Sequence, residues 1–190
     1  MYEFDEMSQI TESLYLSGVG GLTAENIEKN EISHIVNCTK ELLAHDIPGV
    51  TETRFPLFDL PTEDIKKFFH SAADLLNQKI KSGGKVVVHC FAGKSRSTSI
   101  VLAYLMKHRG MSLREAFLYV RDRRSIAEPN LGFFRQLIEF EGEIHASPEP
   151  SVKMVKLSEH VSIPDVLDEV QGLSTLHPII TKRIGSDSTG

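Results

Sequence analysis

The stretch Val86-Val87-Val88-His89-Cys90-Phe91-Ala92-Gly93-Lys94-Ser95-Arg96-Ser97-Thr98-Ser99 reads as a buried strand, a short loop and the start of a helix. A loop between a strand end and a helix N-terminus can turn successive backbone N–H groups inward, and the helix dipole adds partial positive charge at the same point. Gly93 permits the dihedrals such a nest needs, and Arg96 offers a planar fork that meets two oxygens of a tetrahedral oxyanion. The stretch is therefore an anion trap suited to a phosphate monoester. Cys90 stands at its mouth. A field that binds a dianion also stabilises a thiolate, which lowers a cysteine below its free pKa of about 8.5 and makes it a nucleophile.

Outward from this stretch, strand-like runs alternate with helix-like ones. Ser13 to Leu16, Ile32 to Asn37, Thr53 to Leu57 and Lys85 to His89 read as strands, the last two as nearly continuous apolar runs suited to a sheet covered on both faces. Thr62 to Lys81 has helical apolar spacing, with Thr62 as N-cap and Glu63 and Asp64 in the first turn. A second helix is expected from Ser97 to His108, stopping at Gly110. A third runs through Arg121 behind a Ser112/Glu115 capping box, and a fourth spans Asn130 to Ile144. The fold class is α/β, with a mixed, mainly parallel central sheet flanked by helices.

With 190 residues, 41% of them hydrophobic, the chain fills one full-size domain and not two. A proline-punctuated linker at Ser147-Pro148-Glu149-Pro150-Ser151 separates a domain over 1–147 from a modestly acidic tail over 148–190, whose Ser-Asp-Ser-Thr-Gly end is expected to be disordered. The longest apolar run, near Ile100 to Met106, is too short to span a bilayer. The opening Met1 to Glu6 has no signal-peptide pattern, and Tyr2 excludes myristoylation, so a reducing compartment is expected, the cytoplasm or also the nucleus. Two cysteines, Cys38 and Cys90, are too few for a disulfide framework or a four-thiolate metal site. The net charge of -5 argues against bulk nucleic-acid binding.

His89 to Ser97 matches the signature His-Cys-x-x-Gly-x-Ser-Arg-Ser, and the chain thereby resembles the dual-specificity protein phosphatases of the Cys-x5-Arg superfamily. The resemblance extends over roughly residues 8 to 145, through Ala103-Tyr104-Leu105-Met106 and Pro129-Asn130-Leu131-Gly132-Phe133. It is strongest to the small atypical members, some of which continue into a tail similar to Val152-Lys153-Met154-Val155 with Ile163-Pro164-Asp165. The resemblance implies a metal-free, cofactor-free phosphatase acting on phosphoproteins, with signalling kinases as candidate partners. Cys90 would be the nucleophile, and the loop Phe91, Ala92, Gly93, Lys94, Ser95 with Arg96 would hold the phosphate. Ser97 would stabilise the departing thiolate, His89 would support the low cysteine pKa, and Asn130 would brace the loop. The family's general acid would be Asp59, which follows a strand at the sheet edge where open α/β sheets bind ligands; Asp64, inside the first helical turn, is the less favoured candidate.

Taken singly, these residues have plainer readings. Cys90 and His89 could be core residues, Asp59 a turn residue, Ser97 and Asn130 helix caps. Arg121, Arg123 and Arg124 read first as a solvated helix face and second as a phosphosubstrate contact. Cys38 ends one strand as Cys90 ends another. It is either core filling or, if the strands are adjacent, a redox partner. Two other functions remain open: the same chemistry on a phosphoinositide or RNA 5′ end, and a module that only captures phosphoproteins.

Overall fold

In the computed structural model, residues 6–145, 149–159 and 161–171 are described. Five strands, β1 (Met7–Thr11), β2 (Leu14–Ser17), β3 (Ile32–Asn37), β4 (Thr51–Arg54) and β5 (Lys85–His89), form a sheet in the order β1-β2-β5-β3-β4. β1 runs antiparallel to β2, and every other pairing is parallel. The mixed, mainly parallel sheet expected from the sequence is present. β5 lies at its centre, so Val86, Val87 and Val88 are fully buried. Tyr15, Val87 and Ile35 align across three strands and join Ile27 of α1 (Ala24–Lys29) in one apolar cluster. Leu16, Val88 and Val36 align one position on and face the opposite way, as strand alternation requires.

α3 (Arg96–Arg109) follows the loop after β5, and every residue from Arg96 to Met106 is buried, because α2 (Lys66–Lys81), α4 (Leu113–Arg123) and α5 (Leu131–His145) pack around it. Gly110, with φ +68°, ends α3 in the left-handed conformation that glycine adopts at least cost. The Ser112/Glu115 capping box opens α4 as expected, a device that contributes about 1 kcal/mol.

Four elements differ from expectation. The strand read over Thr53 to Leu57 is β4, displaced to Thr51–Arg54 on the sheet edge; its residues are exposed or half-buried, and the buried Phe55 and Leu57 lie beyond it. α2 begins three residues later than a Thr62 cap implies. The α5 side chain Gln136 accepts from the amides of both Ile65 and Lys66 at 2.9 Å, taking the capping role assigned to Thr62. β1 and α1, five and six residues long, are too short for a clear period and were not anticipated.

The chain divides into two compact units, 1–151 and 152–190. Ser151 belongs to the first: its hydroxyl and amide donate to the buried Glu141 carboxylate at 2.6 and 2.9 Å, so the division falls a few residues beyond the linker's start. Within the second unit, β6 (Met154–Lys156) pairs antiparallel with β7 (Ser162–Pro164), and α6 (Asp165–Gln171) follows directly. The Ser-Asp-Ser-Thr-Gly end lies outside the described residues.

Candidate active site

The loop from Cys90 to Ser95 presents its carbonyls outward, and each meets a donor. His89 Nδ1 lies 3.3 Å from the Cys90 carbonyl oxygen; Val19 N donates to Phe91 O at 3.0 Å and Glu128 N to Lys94 O at 2.7 Å. Arg124 donates to Ala92 O at 3.0 Å and to Gly93 O at 2.8 Å, and Ser99 supplies both amide and hydroxyl to Ser95 O. In a trans peptide the N–H points opposite to its carbonyl, so this outward ring turns the following amides inward. Among the described residues, none of the amides from Phe91 to Ser95 donates to a protein acceptor. The result is an amide nest at the head of α3.

Gly93 has φ +65°, and a Cβ there would come within 2.5 Å of the Ser17 carbonyl carbon and 2.6 Å of Arg124 Nη2. Only glycine fits. Cys90 is 1% exposed, and the Ser97 hydroxyl donates to its Sγ at 3.2 Å.

Arg96 is 5% exposed. Its Nη1 donates to Glu41 Oε1 at 2.7 Å and to the Leu57 carbonyl at 3.1 Å, using both hydrogens of that nitrogen. Its Nε is buried and, among the described residues, without a partner. The edge formed by Nε and Nη2 is the fork that receives two oxygens of an oxyanion.

Asp59 stands over the same loop. Its Oδ1 accepts from Ser95 Oγ at 2.7 Å and from Asn130 Nδ2 at 2.8 Å, which leaves Oδ2 as the oxygen able to carry a proton. Asn130 also caps α5 through Oδ1 to Phe133 N, so it serves as cap and brace together. Gly132 sets the height of the Asp59 loop, since a Cβ there would lie 1.8 Å from the Pro61 carbonyl oxygen. Asp64 instead accepts from Lys67 N at 3.3 Å at the start of α2.

His89 is fully buried, and its pKa is pushed down to about 4, first by burial and then by the neighbouring His45, whose ring meets it edge-to-face at 5.0 Å. It is neutral near pH 7, and its Nδ1 proton goes to the Cys90 carbonyl. Cys38 is also fully buried, and its amide donates to His89 O at 2.9 Å, so the two cysteines directly follow paired residues, Asn37 and His89, of neighbouring parallel strands. Burial pushes the Cys38 thiol well up, and the nearby Cys90 pushes it further.

Arg124 corrects the reading of the basic run. Rather than lying on a solvated face, it is 3% exposed and reaches the loop carbonyls, the Glu6 carbonyl and the Ser8 hydroxyl. No local pattern distinguishes it from Arg121 and Arg123, because its partners lie about thirty residues or more away in the chain. Glu41 was likewise not anticipated.

Large apolar side chains are exposed in the segments that carry the site residues. Phe58 and Leu60 flank Asp59, Phe91 adjoins Cys90, and Leu43 lies two residues after Glu41; all four are exposed. Lys40 Nζ sits 4.6 Å above the Phe58 ring, and Lys94 pairs with Glu128 at 3.4 Å. Among the described residues, no group of three or more His, Cys, Asp or Glu side chains is arranged to hold a metal, and no helix is long and apolar enough to cross a membrane.

Residues 14–143 match the model of the dual specificity phosphatase catalytic domain. Mouse dual specificity protein phosphatase 14 is 37% identical over 166 residues, covering 86% of this chain and 81% of its own. The crystal structure of human DUSP28 superposes with a TM-score of 0.71 at 34% identity, over 73% of this chain and 95% of that one. A human tyrosine phosphatase-like serine/threonine/tyrosine-interacting protein superposes with a TM-score of 0.69 at 32% identity, over 75% and 99%.

Proposed function

We propose that this chain, which belongs to the dual specificity phosphatase family, hydrolyses phosphotyrosine and phosphoserine or phosphothreonine side chains of proteins through a cysteinyl-phosphate intermediate. The observation that carries the reading is the amide nest around Cys90 with the unpartnered Nε of Arg96 beside it. Cys90 Sγ attacks phosphorus and forms the S–P bond as the P–O bond to the substrate breaks, and Asp59 gives its proton to the leaving oxygen. The loop amides and Arg96 hold the three equatorial oxygens. In the second half a water attacks the phosphorus, Asp59 takes its proton, and the S–P bond breaks with the Ser97 hydroxyl donating to the departing thiolate. Every group in this sequence is a side chain or amide of the chain, so the proposal includes no cofactor. The proposed setting is a reducing compartment, cytoplasm or nucleus, with phosphoproteins, signalling kinases among them, as partners.

The test is turnover of an aryl phosphate and a phosphopeptide panel. Wild type is expected to act on phosphotyrosine and phosphothreonine peptides. Cys90→Ser is expected to lose turnover while still binding phosphoprotein, since the nest and Arg96 survive. Turnover that persists in Cys90→Ser sinks the mechanism, and activity confined to inositol lipids or RNA ends replaces the substrate class. Phosphoprotein binding by a wild type without turnover makes the chain a capture module instead.

The proposal extends to Cys38. Peroxide converts the Cys90 thiolate to a sulfenic acid, releasing hydroxide; the Cys38 thiol then attacks that sulfur, forming a disulfide and releasing water. In support, the strand spacing of about 4.8 Å falls within the separation a disulfide accepts. Peroxide-treated wild type is expected to yield a 38–90 crosslink by mass spectrometry and to recover activity with dithiothreitol. Equal recovery by Cys38→Ser, with no crosslink in wild type, returns Cys38 to the core.

A further inference from the structure

The loop between β3 and β4 reaches the phosphate-gripping side chain of the trap through the bond from Arg96 Nη1 to Glu41 Oε1 at 2.7 Å. That loop is held in turn by the edge strand β4. Arg54 donates through Nε to the Thr39 carbonyl at 2.8 Å and through Nη2 to the carbonyls of Lys40 and Leu42, which bracket Glu41. Glu52 accepts from the amide of His45 at 2.8 Å, from its ring Nδ1 at 3.0 Å and from Asn37 Nδ2 at 3.1 Å. Two charged side chains of a strand that has no outer partner among the described residues thus clamp one loop from both ends.

A guanidinium has five N–H donors, and a bidentate grip on phosphate needs two on the same edge. Nη1 spends both of its hydrogens on Glu41 and the Leu57 carbonyl. With Nη1 fixed at two points, rotation about the long Arg96 side chain is arrested. The Nε–Nη2 edge is left to the ligand, as the unpartnered buried Nε records. Glu41 also places a carboxylate against a 5% exposed guanidinium, which offsets part of the cost of burying that charge before substrate arrives.

We propose that Glu41 is a positioning residue for phosphate binding: it sets the rotation of Arg96, and Arg54 holds the loop that presents it. The inference rests on the phosphatase reading and assigns Glu41 no contact with substrate. It follows that losing Glu41 weakens oxyanion binding, although the carboxylate is itself an anion beside the trap. A carboxylate that merely competed for Arg96 would give the opposite sign.

The experiment compares Glu41→Ala, Glu41→Gln and Arg54→Met with wild type for inhibition by inorganic vanadate and for turnover of aryl phosphates with good and poor leaving groups. Glu41→Ala is expected to lose about 30- to 100-fold in kcat/KM, most of it in KM, with a matching loss of vanadate affinity, because small displacements of a binding group carry penalties of that order. The loss should be the same for good and poor leaving groups, since the acid Asp59 is untouched. Glu41→Gln keeps an acceptor oxygen and is expected to recover most of the affinity. Arg54→Met leaves Glu41 and Arg96 in place and is expected to lose about tenfold, again in KM. Vanadate binding as tight as wild type or tighter in Glu41→Ala overturns the proposal, and so does an Arg54→Met that binds vanadate like wild type. A wild type that turns over and is silenced by Cys90→Ser keeps the phosphatase reading intact in either case.

Discussion

Two loops meet at the active site, and they are built on opposite plans. The nucleophile loop, Cys90 to Ser95, is held from outside through its backbone: six consecutive carbonyls meet donors from β5, the segment after β2, α3, Arg124 and the segment before α5. The acid loop around Asp59 is exposed at Phe58, Asp59 and Leu60, and its carboxylate is tied through one oxygen to two side chains. A trap for a dianion works by dipoles fixed before the ligand arrives, and backbone carbonyls bonded outward fix them. An acid must give up a proton and take one back, and a carboxylate with one oxygen left free can do so.

The largest expected effect comes from unlocking the nucleophile loop. Arg124→Ala leaves the carbonyls of Ala92 and Gly93 without two of their donors and removes a buried charge with several bonds. It is expected to cost about 3 kcal/mol of stability and about 100-fold or more in kcat/KM. The rate loss should be equal for good and poor leaving groups. Denaturant unfolding and steady-state kinetics measure both, and a variant with wild-type kinetics would show that the nest holds its shape unaided.

Breaking the acid loop should discriminate between substrates. Asp59→Asn is expected to lower kcat/KM by about 100-fold or more for poor leaving groups and far less for p-nitrophenyl phosphate, and to flatten the alkaline limb of the pH profile. Asp64→Asn, altered only at the start of α2, should leave that limb in place. Exchange of the two outcomes would move the acid to Asp64.

A smaller effect is expected from Gly132→Ala. The added Cβ must push the Pro61 backbone away, shifting Asp59 without touching the nest. The variant should lose about tenfold on poor leaving groups while binding vanadate like wild type. Weakened vanadate binding would mean that the two loops move as one body.

The last prediction concerns pH and the strand beneath the nucleophile. His89 titrates near pH 4 in the fold, against about 6.5 when unfolded. Above pH 6.5 both states are neutral and the contribution is complete. As pH falls from 6.5 towards 4 the unfolded chain takes up a proton that the fold refuses. Stability therefore declines by about 1.4 kcal/mol per pH unit for this residue, on the order of 3 kcal/mol across the window. His34, also held near 4 by burial first and Lys79 next, adds to the same slope. Urea unfolding between pH 7.5 and 4.5 should show this decline, with His89→Asn flattening it by about one proton; an unchanged slope would mean that His89 is protonated within the fold.

What could be read beforehand follows from distance along the chain. His89 to Ser97 is contiguous, and strand, nest and helix start are all local, so the trap was legible in the order of residues. Ser112 and Glu115 sit three apart, and the capping box followed. Thr62 looked equally suited to capping, but Gln136 took that place from some seventy residues away. Arg124 and Glu41 carry their weight through partners 31 and 55 residues distant, and neither has a local signature. β4 lies ahead of the span its apolar residues suggest because Phe55 and Leu57 are buried beyond the strand, whereas the strand itself is polar as befits an edge.

The exposed apolar side chains Leu43, Phe58, Leu60 and Phe91 have a kinetic consequence. The chain carries a net charge of -5, and the lysine within the nest loop, Lys94, is paired with Glu128. A phosphate group, itself negative, is thus offered little long-range pull; the attraction begins only when it is within reach of Arg96 and the amides. Encounter is then governed by collision and fit rather than by electrostatic guidance. Added salt, which slows association where opposite charges steer, should leave the on-rate here unchanged or slightly raised as it screens the mutual repulsion.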